Sequence, residues 1–407
     1  MPAPGDLSEP ITRIFRDEYA AVVASLARRF GDLDLAEEAA GEAIVTAMER
    51  WPVDGVPPNP GGWLTTTGHR KGIDRIRRES TRDSRHRQAA MTHDDSPPPD
   101  TGVVEDDRLR LVFTCCHPAL APSARVALTL RLITGLTVPE IAAAFLVPET
   151  TMAQRITRAK AKIKAAKVPY RVPRAEDLPG RTAAVLAVVY LVFNEGYLAT
   201  AGEESVRDDL CEEAIRLARL LRVLLPRDPE VVGLLALMLL VHARRPARVG
   251  ADGALVPLDE QDRTLWRRDL VEEGHDLVRA CLALNRPGPY QLQAAINAVH
   301  TDAATAGETD WSQVAALYGQ LAAIDPSPVV ALNRAVAVAE LHGPEIALDL
   351  VDRLDLAAYH PWQATRADLL RRLGRHAEAR AAYDAAIALI DNEAERAFLS
   401  GRRAGLL

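Results

Sequence analysis

The segment from 136 to 167 is rich in basic and small polar side chains. Between Thr151 and Lys167 there are six lysine or arginine residues and no aspartate or glutamate, and four of the five lysines of the chain lie here. Protein surfaces usually mix the two signs, so a stretch of one sign favours a polyanionic partner such as the phosphate backbone of a nucleic acid. An ordinary solvated helix face is the alternative interpretation.

Two short helices are predicted around this basic segment. Ile141, Ala142 and Phe145 form one apolar face, and the chain breaks at 146–148. Pro148 suits the first turn of a second helix, and Glu149 favours the same N-terminal end. The apolar stripe of the second helix comprises Met152, Ile156, Ala159 and Ile163. Two helices joined in this way predict a helix-turn-helix, in which the N-terminal residues of the second helix read base edges in the major groove.

The run VPETTMAQRITRAKAKIK is similar to the recognition helix of region four in bacterial sigma factors. That family repeats a Thr-x-x-x-Arg-x-x-Arg-Ala-Arg/Lys pattern, which is matched here by Thr151, Arg155, Arg158, Ala159 and Lys160. The resemblance implies contacts with the −35 promoter element. The residues expected to read bases are Thr150, Thr151, Ala153 and Gln154. The residues expected to hold phosphates are Arg155, Arg158, Lys160 and Lys162.

A second basic segment lies nearer the N-terminus and follows an acidic helix and a rigid loop. Residues 61–90 contain eight lysines or arginines and three acidic residues, and residues 52–62 are rich in proline and glycine. A helix is predicted over 35–51, with acidic residues on its exposed side. Basic helices next to an exposed loop suit a nucleic-acid backbone, and aromatic residues can stack on bases.

The order of these pieces resembles region two of the extracytoplasmic-function (ECF) sigma factors. The matching positions are Leu35-Ala36-Glu37-Glu38, Glu42, Trp63-Leu64, Asp74-Arg75 and Arg77-Arg78, whereas the glutamine and the aromatic residue of the family are replaced by Gly41 and Ile44. The resemblance implies that the acidic helix binds core RNA polymerase through Glu37, Glu38 and Glu42. It also implies that the loop at 52–64 captures a flipped base of the −10 element while the basic helix holds phosphates. The residues expected at the −10 element are Asn59, Trp63, His69, Arg70, Lys71, Arg75 and Arg78.

Composition and charge predict an all-α protein whose two halves have different partners. The chain has 407 residues, 48% hydrophobic, 26% charged and 5% aromatic. Basic and acidic residues number 23 and 22 over 1–170, against 26 and 34 over 171–407. We predict a region 2 domain at 10–88, a flexible acidic and proline-rich linker at 89–107, a region 4 helix-turn-helix domain at 108–168 and a helical extension at 171–407.

Two segments of the extension, 328–354 and 361–390, resemble the helix pairs of tetratricopeptide repeats. Gly343 and Gly374 stand 31 residues apart, close to the period of such solenoids. Together with TCCHPAL, polar runs between 190 and 300 resemble the sigma-factor subfamily with a long C-terminal tetratricopeptide-like extension. These runs predict either buried salt bridges and caps or a regulatory pocket for a small ligand or protein partner. The candidate regulatory residues are Asn194, Glu195, Tyr197, Arg245, Asp262 and Arg263.

The sequence favours a cytoplasmic protein without catalytic residues, metal or other cofactor. We find no secretory signal and no apolar run long enough to cross a bilayer. Adjacent Cys115 and Cys116 lack a second ligand pair at a zinc-like spacing, so we expect a buried, reduced pair. A sigma factor with core RNA polymerase and promoter DNA as partners is the predicted function. The alternatives are a one-component, ligand-sensing helix-turn-helix regulator and an enzyme with Glu195 or His300 as acid or base.

Overall fold

The computed structural model describes residues 8–83, 107–145, 147–198, 204–250, 255–390 and 393–406. The secondary structure in these ranges is helical, which confirms the all-α prediction. Within the same ranges, β pairing is limited to an isolated antiparallel bridge between Val249 and Leu255. It divides into two compact units, Met1–Leu191 and Val192–Leu407. Among the described residues, no helix is both long enough and apolar enough to span a membrane.

The first unit begins with three helices that pack on one another: α1 (Ser8–Phe30), α2 (Leu33–Asp54) and α3 (Pro60–Asp83). Asp32 caps α2 by accepting from the backbone N–H groups of Asp34 and Leu35. The buried face of α2 is made almost entirely of alanine, so a neighbouring helix can approach closely. A Cβ atom added to Gly68 of α3 would lie 3.1 Å from the carbonyl oxygen of Ala39, so glycine permits this contact.

Four further helices of the first unit follow the predicted linker. They are α4 (Asp107–Cys115), α5 (Pro122–Thr129), α6 (Val138–Ala144) and α7 (Glu149–Ala165), and α5 continues as a π-helical turn at Leu130–Thr134. Helices α6 and α7 pack together, and the predicted stripe from Met152 to Ile163 is buried. Pro148 stands just before α7 as its N-cap residue. Apart from Asp107, the predicted linker lies outside the described residues.

Helix α8 (Leu178–Leu198) carries the chain from the first unit into the second, because the boundary falls after Leu191. The predicted extension was expected to begin at 171, about 20 residues earlier. Arg181 accounts for part of this difference, since it donates a hydrogen bond of 2.6 Å to the carbonyl oxygen of Phe113 in α4. The first part of α8 therefore packs with the helix-turn-helix half of the first unit.

The second unit continues as a succession of helices that pack against their neighbours in sequence. They are α9 (Glu204–Leu224), α10 (Pro229–Ala243), α11 (Arg268–Leu284), α12 (Pro289–Asp302), α13 (Trp311–Ile324), α14 (Pro328–His342), α15 (Pro344–Val351), α16 (His360–Arg372), α17 (His376–Ala388) and α18 (Glu393–Ala404). Gly343 and Gly374 have φ angles of +90° and +73° and each lies between two consecutive helices. Both glycines thus occupy the same position relative to a pair of helices, as their 31-residue spacing suggests. The tetratricopeptide-like character of the unit stays a prediction.

Candidate nucleic-acid and polymerase interface

Helix α7 presents one polar face to solvent. Thr150, Thr151 and Gln154 are exposed, as are Arg158 and Lys162, whereas the opposite stripe is buried. Ala153 and Arg155 are half-buried at the edge of the face. The residues predicted to read bases thus occupy the N-terminal turns of a helix whose other side is anchored in a core. This is the geometry that major-groove reading by a helix-turn-helix requires.

Lys160 of α7 is the exception among the predicted phosphate ligands, because its ammonium group is engaged within the protein. Its side chain is 10% exposed, and Nζ lies 2.8 Å from Oδ1 of Asp34 and also contacts Oε2 of Glu37. Burial lowers the pKa of Lys160, but the attraction of Glu37 and the two hydrogen bonds outweigh it, so the pKa lies above its usual value. Lys160 is therefore a fixed positive charge in this arrangement.

Asp32, Asp34 and Glu37 form an acidic cluster at the start of α2, and two further cations meet it. Nε of Arg131 donates to Oε1 of Glu37 at 2.5 Å, and Nζ of Lys164 lies 2.9 Å from Oδ2 of Asp32. The ion pairs join residues about 90 to 130 positions apart in sequence. They hold the second helix of the helix-turn-helix against the acidic helix of the N-terminal domain.

Contacts at α1 extend this junction beyond the acidic cluster. The hydroxyl of Tyr170 donates to the carbonyl oxygen of Ala24 at 2.9 Å, and Nε of Arg28 lies 3.0 Å from Oδ2 of Asp107. Helix α1 also packs against α4 and the π-helical turn. The two predicted DNA-binding modules therefore lie together in one compact unit.

The residues predicted for the −10 element fall into a structural group and an exposed group. Asn59 accepts from the backbone N–H of Gly62 at 2.9 Å, and Trp63 meets the buried ring of Trp51 edge-on at 5.5 Å. His69 stacks on Phe30 at 5.7 Å. Lys71 is half-buried and Arg75 pairs with Glu38 at 3.0 Å, whereas Arg70 and Arg78 are exposed.

The predicted polymerase-binding residues are all on α2, but two of them already have partners. Glu37 is held by Lys160 and Arg131, and Glu38 pairs with Arg75. Glu42 is half-buried. Sequence reasoning missed Arg131, and the signal that could have found it is a single charge inside the apolar run VALTLRLIT.

The predicted regulatory residues of the second unit are only partly brought together. Arg248 lies over the ring of Tyr197, with Cζ 3.9 Å from the ring centroid, and Arg263 donates to the carbonyl oxygens of His300 and Ala303. Asp262 is exposed and caps a short 3-10 helix through Thr264. The other members, Asn194, Glu195 and Arg245, are half-buried.

All four cysteines, Cys115, Cys116, Cys211 and Cys281, are buried thiols. The thiol of Cys116 lies 3.5 Å from the hydroxyl of Thr129, and burial raises the pKa of Cys116 to about 11. Within the described ranges, no group of three or more histidine, cysteine or acidic side chains is arranged to hold a metal ion. A high thiol pKa disfavours the thiolate form that binds metals and reacts with oxidants.

Comparison with known proteins assigns both halves of the first unit. Residues 14–82 match the family described as Sigma-70 region 2, and residues 110–163 match Sigma-70, region 4. Residues 181–282 match a family of unknown function (DUF6596). The uncharacterized protein R00370 of Rhizobium meliloti (strain 1021) is 46% identical over 385 residues, which cover 93% of this chain and 91% of that protein. The chain therefore belongs to the family of this R. meliloti protein and carries the region 2 and region 4 domains of a sigma-70 factor.

Proposed function

We propose that this sigma factor is of the ECF class, that it directs core RNA polymerase to specific promoters in the cytoplasm, and that its tetratricopeptide-like C-terminal domain controls its activity. The observation that carries the proposal is the pair of sigma-70 regions within residues 14–163. The exposed polar face of α7 supports a −35 contact, and the exposed Arg70 and Arg78 support a phosphate contact near the −10 element. In this proposal the protein binds core polymerase and opens the promoter, and it catalyses no reaction of its own.

The junction between the two regions must open for this function. Lys160 is predicted to bind a DNA phosphate, and Glu37 is predicted to bind core polymerase. In the structure these two side chains form an ion pair with each other. An ammonium group that is 10% exposed and held between two carboxylates is shielded from a DNA phosphate in this arrangement. We propose that binding of core polymerase competes with the acidic cluster and frees α7 for the promoter.

The experiment that tests the proposed function is run-off transcription with purified core RNA polymerase and a promoter library. Addition of the protein should produce discrete transcripts from a subset of templates, and core polymerase alone is the control. A protein that binds DNA specifically by itself, yet never associates with core polymerase, would favour the one-component regulator instead.

Substitutions on the exposed face of α7 should separate base reading from phosphate binding. Gln154→Ala should change preference at one −35 base pair by about 1–3 kcal/mol, because a side-chain contact with a base edge is lost. Lys162→Ala should weaken binding to all sequences alike and lower the salt slope by about one. Binding titrations on single-base variants of the promoter at several salt concentrations measure both effects. Equal, sequence-independent effects of the two variants would remove Gln154 from the reading set.

A further inference from the structure

Among the residues that the structure describes, no acidic side chain pairs with Arg244, a buried arginine directly after α10. It is 9% exposed, and its Nη2 donates to Oδ1 of Asn297 at 2.8 Å. The amide nitrogen of Asn297 donates to the carbonyl oxygen of Gln293 at 2.8 Å, which fixes the oxygen toward the guanidinium. Nε of Arg244 is buried and has no hydrogen-bond partner in the part of the chain that the structure describes.

Two more arginines lie on the turns next to Arg244. Arg248 ends the 3-10 turn that Arg244 begins, and Arg263 begins the 3-10 turn that packs against it. Among the described residues, the contacts of both side chains are also with neutral groups. Arg248 lies over the Tyr197 ring and donates to the carbonyl oxygen of Tyr197. Arg263 donates to the carbonyl oxygen of His300 at 2.7 Å and to that of Ala303. Main-chain carbonyls orient a guanidinium, but they leave its positive charge uncompensated.

The pKa shifts of Arg244 and of the neighbouring His300 agree with one region of positive charge at these three arginines. Burial lowers the pKa of Arg244, with Tyr197 opposing the shift and Arg248 adding to it. The pKa of His300 is lowered to about 4, first by burial and then by the charges of Arg244 and Arg263. The carboxylate of Glu308 acts on Arg263, but it is used in a capping box, where it accepts from the N–H of Thr305 at 3.0 Å.

A buried guanidinium beside two others costs free energy unless an anion compensates the charge. Planar, oriented guanidinium groups match the geometry of carboxylate and phosphate, which they bind through paired N–H donors. We infer that Arg244, Arg248 and Arg263 form a binding site for a small carboxylate or phosphate anion in the second unit. The anion site does not depend on the promoter-binding function proposed above. A role for this site in the control of transcription rests on that function.

Isothermal titration calorimetry on the full chain tests the site with two probes, inorganic phosphate and succinate. Sodium chloride at matched ionic strength is the control for non-specific charge effects. One of the two probes should give saturable binding with one site per chain, and the stronger probe identifies the class of anion. Arg244→Gln should weaken that binding by about tenfold or more, because it removes the central fork of donors. Arg222→Gln, at an exposed arginine of α9, should leave it unchanged.

Two outcomes would overturn the inference. One is that neither probe gives heat beyond that of matched sodium chloride. The other is that Arg244→Gln binds as tightly as the unmodified chain. Circular dichroism checks that each variant is folded. If Arg244→Gln does not fold, Arg248→Gln takes its place, since Arg248 is half-buried and lies on a short turn. Undiminished affinity in that variant would contradict the site equally.

Discussion

A chain that ends after Pro173 is expected to give about one tenth or less of the promoter-directed transcript of the full chain. The cut removes the first part of α8, which belongs to the same compact unit as regions 2 and 4. Arg181 then no longer donates to the carbonyl oxygen of Phe113, and its guanidinium no longer lies over the Phe113 ring. Loss of a partly buried hydrogen-bond partner costs about 1–3 kcal/mol, a sizeable share of the stability of a domain. Run-off transcription with equal amounts of each protein measures the effect.

A second fragment, cut after Leu191, separates damage to the first unit from loss of control by the second. It retains the whole first unit, so any difference from the full chain reflects residues 192–407. More transcript than the full chain would show that the C-terminal domain inhibits, and less would show that it assists. The family resemblance favours assistance. Soluble fragments of both lengths that match the full chain, under inducing and non-inducing conditions, would refute control by the C-terminal domain.

Arg131→Met is expected to weaken the ion-pair junction between the acidic cluster and the region 4 domain without altering any residue predicted to contact DNA or polymerase. Arg131 is 23% exposed and Glu37 is 13% exposed, so the pair is partly shielded from solvent. Its removal leaves Glu37 with one cationic partner and should cost the closed arrangement about 1–3 kcal/mol. The open population should rise about tenfold for each 1.4 kcal/mol. Binding of −35 DNA by the free protein should strengthen accordingly.

Energy transfer between two dyes can report this opening directly. Met48 and Ala161 are exposed, so cysteines introduced there accept dyes while the four native cysteines are buried. Transfer should fall in Arg131→Met, and in the unmodified protein it should fall as salt screens the junction. Glu176→Gln is the matched control, because its pair with Arg174 is 3.9 Å long and exposed. Unchanged transfer and DNA binding in Arg131→Met would show that the ion pairs do not hold the junction closed.

The local pattern of the sequence was enough to predict the second helix of the helix-turn-helix and its buried face. In α7 the spacing of Met152, Ile156, Ala159 and Ile163 predicted the buried stripe, and all four residues are buried. The order of acidic helix, proline-rich loop and basic helix predicted the region 2 domain, which the comparison confirms over residues 14–82. These features depend on contacts within one helix turn or on side chains of one segment, so periodicity and composition report them.

Tertiary packing decided which charged residues meet. Lys160 and Glu37 are 123 positions apart, and nothing in either helix indicates that they pair. Likewise, Arg244 donates to Asn297, 53 positions away, and its 3-10 turn, which ends at Arg248, packs against the turn that begins at Arg263. The ends of long, flexible side chains are set by how whole helices pack, and a change in that packing moves them without altering any local pattern. The sequence by itself therefore determined the all-α class and the two sigma-70 regions, whereas the closed junction and the arginine cluster followed from the arrangement of helices in space.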